Sequence, residues 1–329
     1  MITSEAATAL ESPTIMSDQS SCPICKDPNP ISWLAAPDRF NGRQTQYHLL
    51  RCPTCSMVWL DAPPSKAEMG NHYGSDYDRT IAEASQAPDH WLPRRDELLR
   101  VMSGGAVLDL GCGSGGFLNS LKDPAWRLSG IEMSEGAATM ARSRCDAEVF
   151  VGDILDAPFP PGSFDAITGF NVFEHVYEPE LVLARVAEWL RPGGIFYTMM
   201  PNIDSAGARI FRSYWYALEL PRHLFHFSPA TLRMLARSAG LQEVFITTHR
   251  ELYFESSVRY VVDDLLSMIG ISRKPLARTT EPGLPAKVMR KLFRMSILPL
   301  FTAAASLAGD GETITAVFIK DSGPHETSA

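Results

Sequence analysis

Two kinds of chemistry are written into the residue spacing of this 329-residue chain. The first is thiolate chemistry. Cys22 and Cys25 in CPIC and Cys52 and Cys55 in CPTC form two C-x-x-C pairs with 26 residues between them. Each pair offers two sulfurs from one tight turn, and four thiolates suit a tetrahedral zinc ion with bonds near ~2.3 Å. With all four positions filled by sulfur, such an ion is structural. The second kind lies in VLDLGCGSGGFL, residues 107 to 118, where Gly111, Gly113 and Gly116 have the G-x-G-x-x-G spacing of a dinucleotide turn. Glycines there let a ligand approach the backbone and the following helix N-terminus. Asp109, two positions before Gly111, argues against a pyrophosphate and for the cationic amino-acid end of a ligand. Glu132 can accept both hydroxyls of a ribose, and Asp153 can accept the exocyclic amine of adenine.

Side chains able to take a proton come next. His175 follows Glu174 in FEHV, and His223 and His226 lie in PRHLFHFSPATL. Imidazoles titrate near ~6.5 and are the usual bases for a hydroxyl or a carbon acid. His226 alternates with Phe225 and Phe227, so packing or anchoring the next helix is an alternative role for it.

Elements that would position these residues follow from patterning. DELLRVM reads as an amphipathic helix. AVLDL, WRLSGIEMS, AEVFVGDI, FDAITGFNVFEHV and IFYTMMPN read as five strands, with helices at GFLNSLKD, SEGAATMARSRC (N-capped by Ser134) and PELVLARVAEWLRPGG, the last stopped by Pro192 and its glycines. Alternating strands and helices imply a doubly wound parallel sheet with ligands at the strand carboxyl ends. EVFITTHR and ETITAVFIK read as sixth and seventh strands, the seventh antiparallel. Ser65 caps a short helix, and Ser228 with Pro229 starts another.

In order, Asp109-Leu-Gly111-Cys112-Gly113-Ser-Gly115, Glu132, Asp153, the stretch 164 to 176 and Leu190-Arg-Pro-Gly-Gly194 resemble the motifs of class I S-adenosylmethionine-dependent methyltransferases over roughly residues 100 to 245. The resemblance implies an α/β fold with a Rossmann-like seven-stranded sheet. It implies that the backbone around Gly111, Cys112, Gly113 and Gly115 cradles the methionine moiety and that Asp109 acts near its amino group. Glu132 would hold the ribose and Met133 would pack on adenine. Asp153, with Ile154 beside it, would bind the adenine amine, and Phe170 and Asn171 would line the methyl-donor site. His223, His175 and His226 are the candidate catalytic residues. Small-RNA 3′-end and ubiquinone-pathway methyltransferases carry an E-x-x-E-H stretch that binds a divalent metal. The matching residues here are Asn171, Glu174 and His175, and asparagine is a poorer ligand for a hard cation.

The N-terminal cysteine region resembles a zinc ribbon. The expected organisation is a disordered tail at 1–20, a zinc ribbon at 21–62, a linker or lid at 63–93, and a methyltransferase domain at 94–329 with an insertion at about 249–311. The first twenty residues lack the pattern of a secretory signal, and no run of eighteen apolar residues appears, so a cytoplasmic protein is expected. A net charge of -8 disfavours a nucleic-acid partner. Residues 287–309 begin with Lys287, Arg290, Lys291 and Arg294 and then turn apolar. Such a helix suits a membrane surface, a cover over a lipid-linked substrate, or a lid or homodimer contact. The expected activity is methylation of an oxygen or carbon of a small acceptor, sugar-like, glycan or isoprenoid-linked. A ubiquinone-type O-methyltransferase, a ribosomal-RNA methyltransferase and a non-catalytic adaptor are the alternatives.

Overall fold

The computed structural model describes residues 21–73, 88–249, 253–270 and 310–322. The expected tail at 1–20 and the basic-then-apolar helix at 287–309 lie outside them.

Two knuckles open the described chain, and they are built alike. Cys22 N–H donates to Asp27 O at 2.8 Å and Cys52 N–H to Met57 O at 2.9 Å. Lys26 N–H returns to Cys22 O, and Ser56 N–H to Cys52 O, both at 3.0 Å. The residue after each second cysteine, Lys26 or Ser56, turns back with φ of 62° or 65°. Strands β1 (Ile31–Pro37), β2 (Gln46–Arg51) and β3 (Val58–Leu60) follow as an antiparallel meander.

That sheet does not end at β3. Its far edge pairs with β9 (Phe225–His226), joining Val58 to His226 and Trp59 to Phe225, and Leu60 N–H donates to Leu224 O at 2.8 Å. Leu49, Met57 and Trp59 share one buried cluster with Leu224, Phe225 and Phe227. Three short strands bury too little apolar area to hold themselves, and the C-terminal half supplies both the fourth strand and the packing.

The seven-stranded sheet has the order β10-β11-β8-β7-β4-β5-β6. Strands β4 (Gly105–Leu110), β5 (Trp126–Glu132), β6 (Glu148–Val151), β7 (Phe164–Phe170) and β8 (Leu190–Pro201) are parallel. β11 (Thr313–Lys320) runs antiparallel between β8 and β10 (Leu241–His249). The chain winds from β4 outward to β6 and then returns to β7 on the other side of β4. Strands β4 and β7 therefore flank the switch point.

Helices on this frame begin where the sequence caps them. The one-turn α1 (Lys66–Met69) has a capping box between Ser65 and Glu68. After α2 (Pro88–Leu99) and α3 (Gly116–Ser120) comes α4 (Glu135–Cys145), where Ser134 accepts from Ala137 N–H. α5 (Pro179–Trp189) starts on its proline, and α6 (Ala206–Phe211) is capped by Ser205. α7 (Pro229–Ser238) has a reciprocal Ser228–Thr231 cap, and α8 (Tyr253–Met268) lies in the expected insertion.

Several boundaries differ from the sequence reading: α2 begins at Pro88 rather than with DELLRVM, α3 ends at Ser120, β8 begins at Leu190, and two more have a plain local cause. α5 stops at Trp189 rather than running to Pro192, because Pro192 disfavours a helical Arg191 and Leu190 is already extended and paired with Phe164. β7 stops at Phe170 rather than at Val176, because Asn171 turns out of the strand with φ of 55°.

Candidate active site

The four knuckle cysteines come together. Cys22 Sγ lies 3.5 Å from Cys55 Sγ, Cys25 Sγ lies 3.4 Å from Cys52 Sγ, and all four sulfurs lie within 4.8 Å of one another. Sulfurs on a zinc tetrahedron would be about 3.8 Å apart, so the donor set fits a structural ion. Burial pushes the Cys22 thiol up to about 11 and raises Cys55 as well. A dication among them would offset that cost by stabilising thiolates.

At the switch point, Asp109 and Thr168 are cross-strand partners, and Thr168 Oγ1 donates to Asp109 Oδ1 at 2.6 Å. Asp109 is buried, and that burial lifts its carboxyl to about 7, with Glu132 adding repulsion and Thr168 opposing. An ammonium placed there would return it to its charged form. Gly111, Gly113 and Gly115 all have positive φ, of 60°, 54° and 76°, which glycine alone adopts without strain. The Cys112 thiol tucks under the loop against Gly130, where a Cβ would sit 2.6 Å from its sulfur. Cys112 thus helps shape the loop from below.

Glu132 is fixed at both oxygens: Gly113 N–H donates to Oε2 and Ser134 N–H to Oε1, each at 2.9 Å. The next side chain, Met133, is 73% exposed at the end of β5, an apolar face turned outward beside a buried carboxylate. Gly152 N–H donates to Glu132 O at 3.1 Å, tying the end of β6 to that of β5. Asp153 caps the turn Ile154–Asp156 by accepting from Leu155 N–H, and Ile154 is buried beneath it. The Phe170 ring, expected to line the donor, joins Trp91, Phe117 and Tyr197 in an aromatic cluster with centroids 4.9 to 5.9 Å away. Asn171 is exposed beside it, its N–H bound to Met199 O at 2.8 Å.

The histidines form a second centre. The rings of His175 and His223 stand 4.6 Å apart, and those of His223 and His226 stand 6.3 Å apart. His175 Nδ1 lies 3.0 Å from Arg222 O and 3.3 Å from the Tyr73 hydroxyl. His223 Nδ1 lies 2.8 Å from Ala217 O. A carbonyl only accepts, so both Nδ1 atoms carry the proton and both Nε2 atoms keep a lone pair. Burial holds His175 and His226 down to about 3 and His223 well below its usual range, with the neighbouring imidazole and the Arg222 guanidinium adding to the effect at His175 and His223. All three are neutral at pH 7.

Glu174 is the residue that sequence reasoning undervalued, weighing it only as a metal ligand. It is 1% exposed, and neither carboxyl oxygen has a hydrogen-bond partner among the described residues. Burial raises it to about 8, with Glu219 adding repulsion. A proton acceptor works best near the operating pH, and Glu174 is nearer to it than any of the three imidazoles. Its backbone is pinned, since Leu224 N–H donates to Glu174 O at 2.6 Å. Glu174, His175 and His223 can each offer one ligand atom, and the three atoms lie within 4.8 Å of one another. His223 thus joins Glu174 and His175, where the sequence reading had Asn171.

A methyltransferase-domain family model matches residues 79–244. The chain belongs to the S-adenosylmethionine-dependent methyltransferases. This methyltransferase is 31% identical over 159 residues to a ubiquinone biosynthesis O-methyltransferase of Thiobacillus denitrificans, covering 44% of this chain and 68% of that one. It is 30% identical over 200 residues to the protein of that name from Xanthomonas euvesicatoria, covering 54% and 84%. A probable S-adenosylmethionine-dependent methyltransferase of Mycolicibacterium smegmatis is 28% identical over 130 residues, covering 38% and 50%. In fold, the methyltransferase is similar to Haemonchus contortus phosphoethanolamine N-methyltransferase 2 in complex with S-adenosyl-L-methionine, with a TM-score of 0.51, 15% identity, and coverage of 80% of this chain and 62% of that one. Among the described residues no helix is long and apolar enough to cross a membrane.

Proposed function

We propose that this methyltransferase acts on an oxygen or carbon of a small-molecule acceptor, with a sugar-like, glycan or isoprenoid-linked ring as the favoured class. Asp109, Glu132 and Asp153 hold the donor at the ends of β4, β5 and β6. The acceptor then lies toward the turn after β7. Its nucleophilic atom attacks the methyl carbon in line, the carbon–sulfur bond breaks, and S-adenosylhomocysteine leaves. The acceptor's proton passes to the group formed by His175, His223 and Glu174. The observation that carries this reading is the buried carboxyl of Glu174, without a hydrogen-bond partner among the described residues, beside two imidazoles that keep their Nε2 lone pairs. Such unsatisfied polarity is costly in a folded protein unless it is used.

Several features support a small ring as acceptor. Tyr216 lies 5.6 and 5.9 Å from the rings of Tyr253 and Tyr260, an aromatic wall suited to a ring. The net charge of -8 disfavours a nucleic-acid acceptor. The relatives named for ubiquinone biosynthesis are O-methyltransferases by name, which favours oxygen. The four-cysteine knuckles hold a structural zinc ion on this reading. Radiolabelled methyl transfer tested across a panel of sugar nucleotides and polyprenylated phenols is the direct experiment. Labelling of neither class, with donor binding intact, would overturn the acceptor assignment.

A divalent cation is the second reading, favoured by the same three residues. Both imidazoles bond a backbone carbonyl through Nδ1, the arrangement that orients histidine ligands toward a metal. Turnover lost on chelation and restored by magnesium or manganese, with the zinc of the cysteine knuckles retained, would select it. Turnover that survives chelation would leave the acid–base reading.

A further inference from the structure

The segment joining the four-cysteine module to the catalytic domain is tied down at several points. Tyr177 donates its hydroxyl to Pro64 O at 2.6 Å. The capping box of Ser65 and Glu68 closes one turn of helix, and from that turn Lys66 reaches Asp153 Oδ2 at 3.0 Å and Glu178 Oε2 at 3.3 Å. Met69 is buried in the same cluster as Trp59 and Leu60. Farther along, Tyr73 stands 3.3 Å from His175. Behind all of this, Leu60 in β3 is held by Leu49 on one side and Leu224 on the other.

Lys66 is half exposed, and an ion pair in such a place contributes little to stability. Its position is the informative part. Asp153 Oδ1 is occupied by the Leu155 amide, so Oδ2 is the oxygen that Lys66 fixes. Burial would raise this carboxyl, yet the Leu155 amide and Lys66 together hold it below the ordinary range.

We propose that Lys66 is a positioning residue for the donor: through its contact with Oδ2 it orients the Asp153 carboxylate that accepts the adenine amine, so that the segment after the four-cysteine module forms the adenine-side wall of the donor pocket. The inference rests on the reading of Asp153 as the adenine contact. It makes the segment 61–73 part of the binding site, spanning from the adenine carboxylate to His175. It also means that a segment outside the nucleotide-binding sheet sets base selectivity.

The test compares S-adenosylhomocysteine with its inosine counterpart, in which a carbonyl replaces the amine, by calorimetry on the full-length protein. Wild type should prefer the adenine ligand. Lys66→Ala should weaken S-adenosylhomocysteine about fivefold to tenfold, in the range of one charge-assisted contact. It should leave the inosine ligand unchanged, so the preference shrinks. Lys66→Arg should restore the preference. The donor KM should rise in Lys66→Ala while kcat at saturating donor holds. Lys66→Ala retaining the full adenine preference, or weakening both ligands equally, overturns the inference while leaving the donor site in place. A wild type that does not bind S-adenosylhomocysteine overturns instead the donor reading beneath it.

Discussion

The donor half and the histidine centre are built in opposite ways. The donor half comes from the ends of consecutive strands, β4, β5 and β6, and its key carboxylates are held by fixed partners: Glu132 by two amides, Asp109 by Thr168, Asp153 by Leu155 and Lys66. The histidine centre gathers the turn after β7, the loop before β9 and the segment after the N-terminal sheet. Its central carboxyl, Glu174, has no hydrogen-bond partner among the described residues. On the proposed reading, the first is a rigid socket for the charge pattern of the donor. The second stores polarity that an acceptor or a cation must satisfy.

The strongest way to break this contrast is to remove a socket carboxylate. Asp109→Ala or Glu132→Ala should weaken S-adenosylmethionine by about a hundredfold or more, the scale for truncating one side of a buried charge contact. Calorimetry giving wild-type affinity for either variant would dissolve the donor half as drawn. On the other side, His223→Ala should cut turnover by about a hundredfold with donor affinity intact, the usual scale of general acid–base help. Turnover at the wild-type rate would return His223 to packing.

Glu174→Gln sharpens the comparison through stability. A carboxyl raised from 4.5 to about 8 contributes fully below the unfolded value and loses that contribution as pH rises through the folded one. The glutamine variant, free of that loss, should therefore gain stability at pH 8 relative to pH 4.5. A rise in Tm of a few degrees is the expected scale, read by calorimetry at both pH values. A variant that is less stable at pH 8 would mean that a bound cation already satisfies Glu174 in the parent protein. The smallest effect belongs to the socket. Burial lifts the free Asp109 carboxyl to about 7, and a bound ammonium favours its charged form. Donor affinity should be full above pH 7 and fall by at most about tenfold per unit below it. Proton release on binding at pH 6 checks the sign, and its absence would remove Asp109 from the ammonium contact.

The two halves were also unequally legible in the sequence. The strands, their order-defining motifs and the caps at Ser65, Ser134 and Ser228 could be read because each depends on residues close together in the chain. The glycine turn worked for the same reason, since one local conformation demands it. Glu174 could not be weighed from sequence, because its significance comes from its surroundings once folded. Lys66 lies in the stretch 63–93 that reads as a linker or lid, and nothing near it in sequence points to Asp153. The end of β7 was drawn too late because FNVFEHV stays apolar beyond Phe170, while the break is set by the backbone of Asn171. The ribbon's edge was likewise invisible, since its partner strand is two residues long and sits in the other half of the chain.

That short strand has a consequence for how the chain is made. The N-terminal sheet needs Phe225 and His226, so it cannot be finished until the ribosome has read past His226. Until then β3 presents an unpaired edge, the kind of surface that recruits stray strands. The two knuckles, whatever ion they capture, and the β1–β2–β3 meander are what is available early enough to keep the emerging segment in shape.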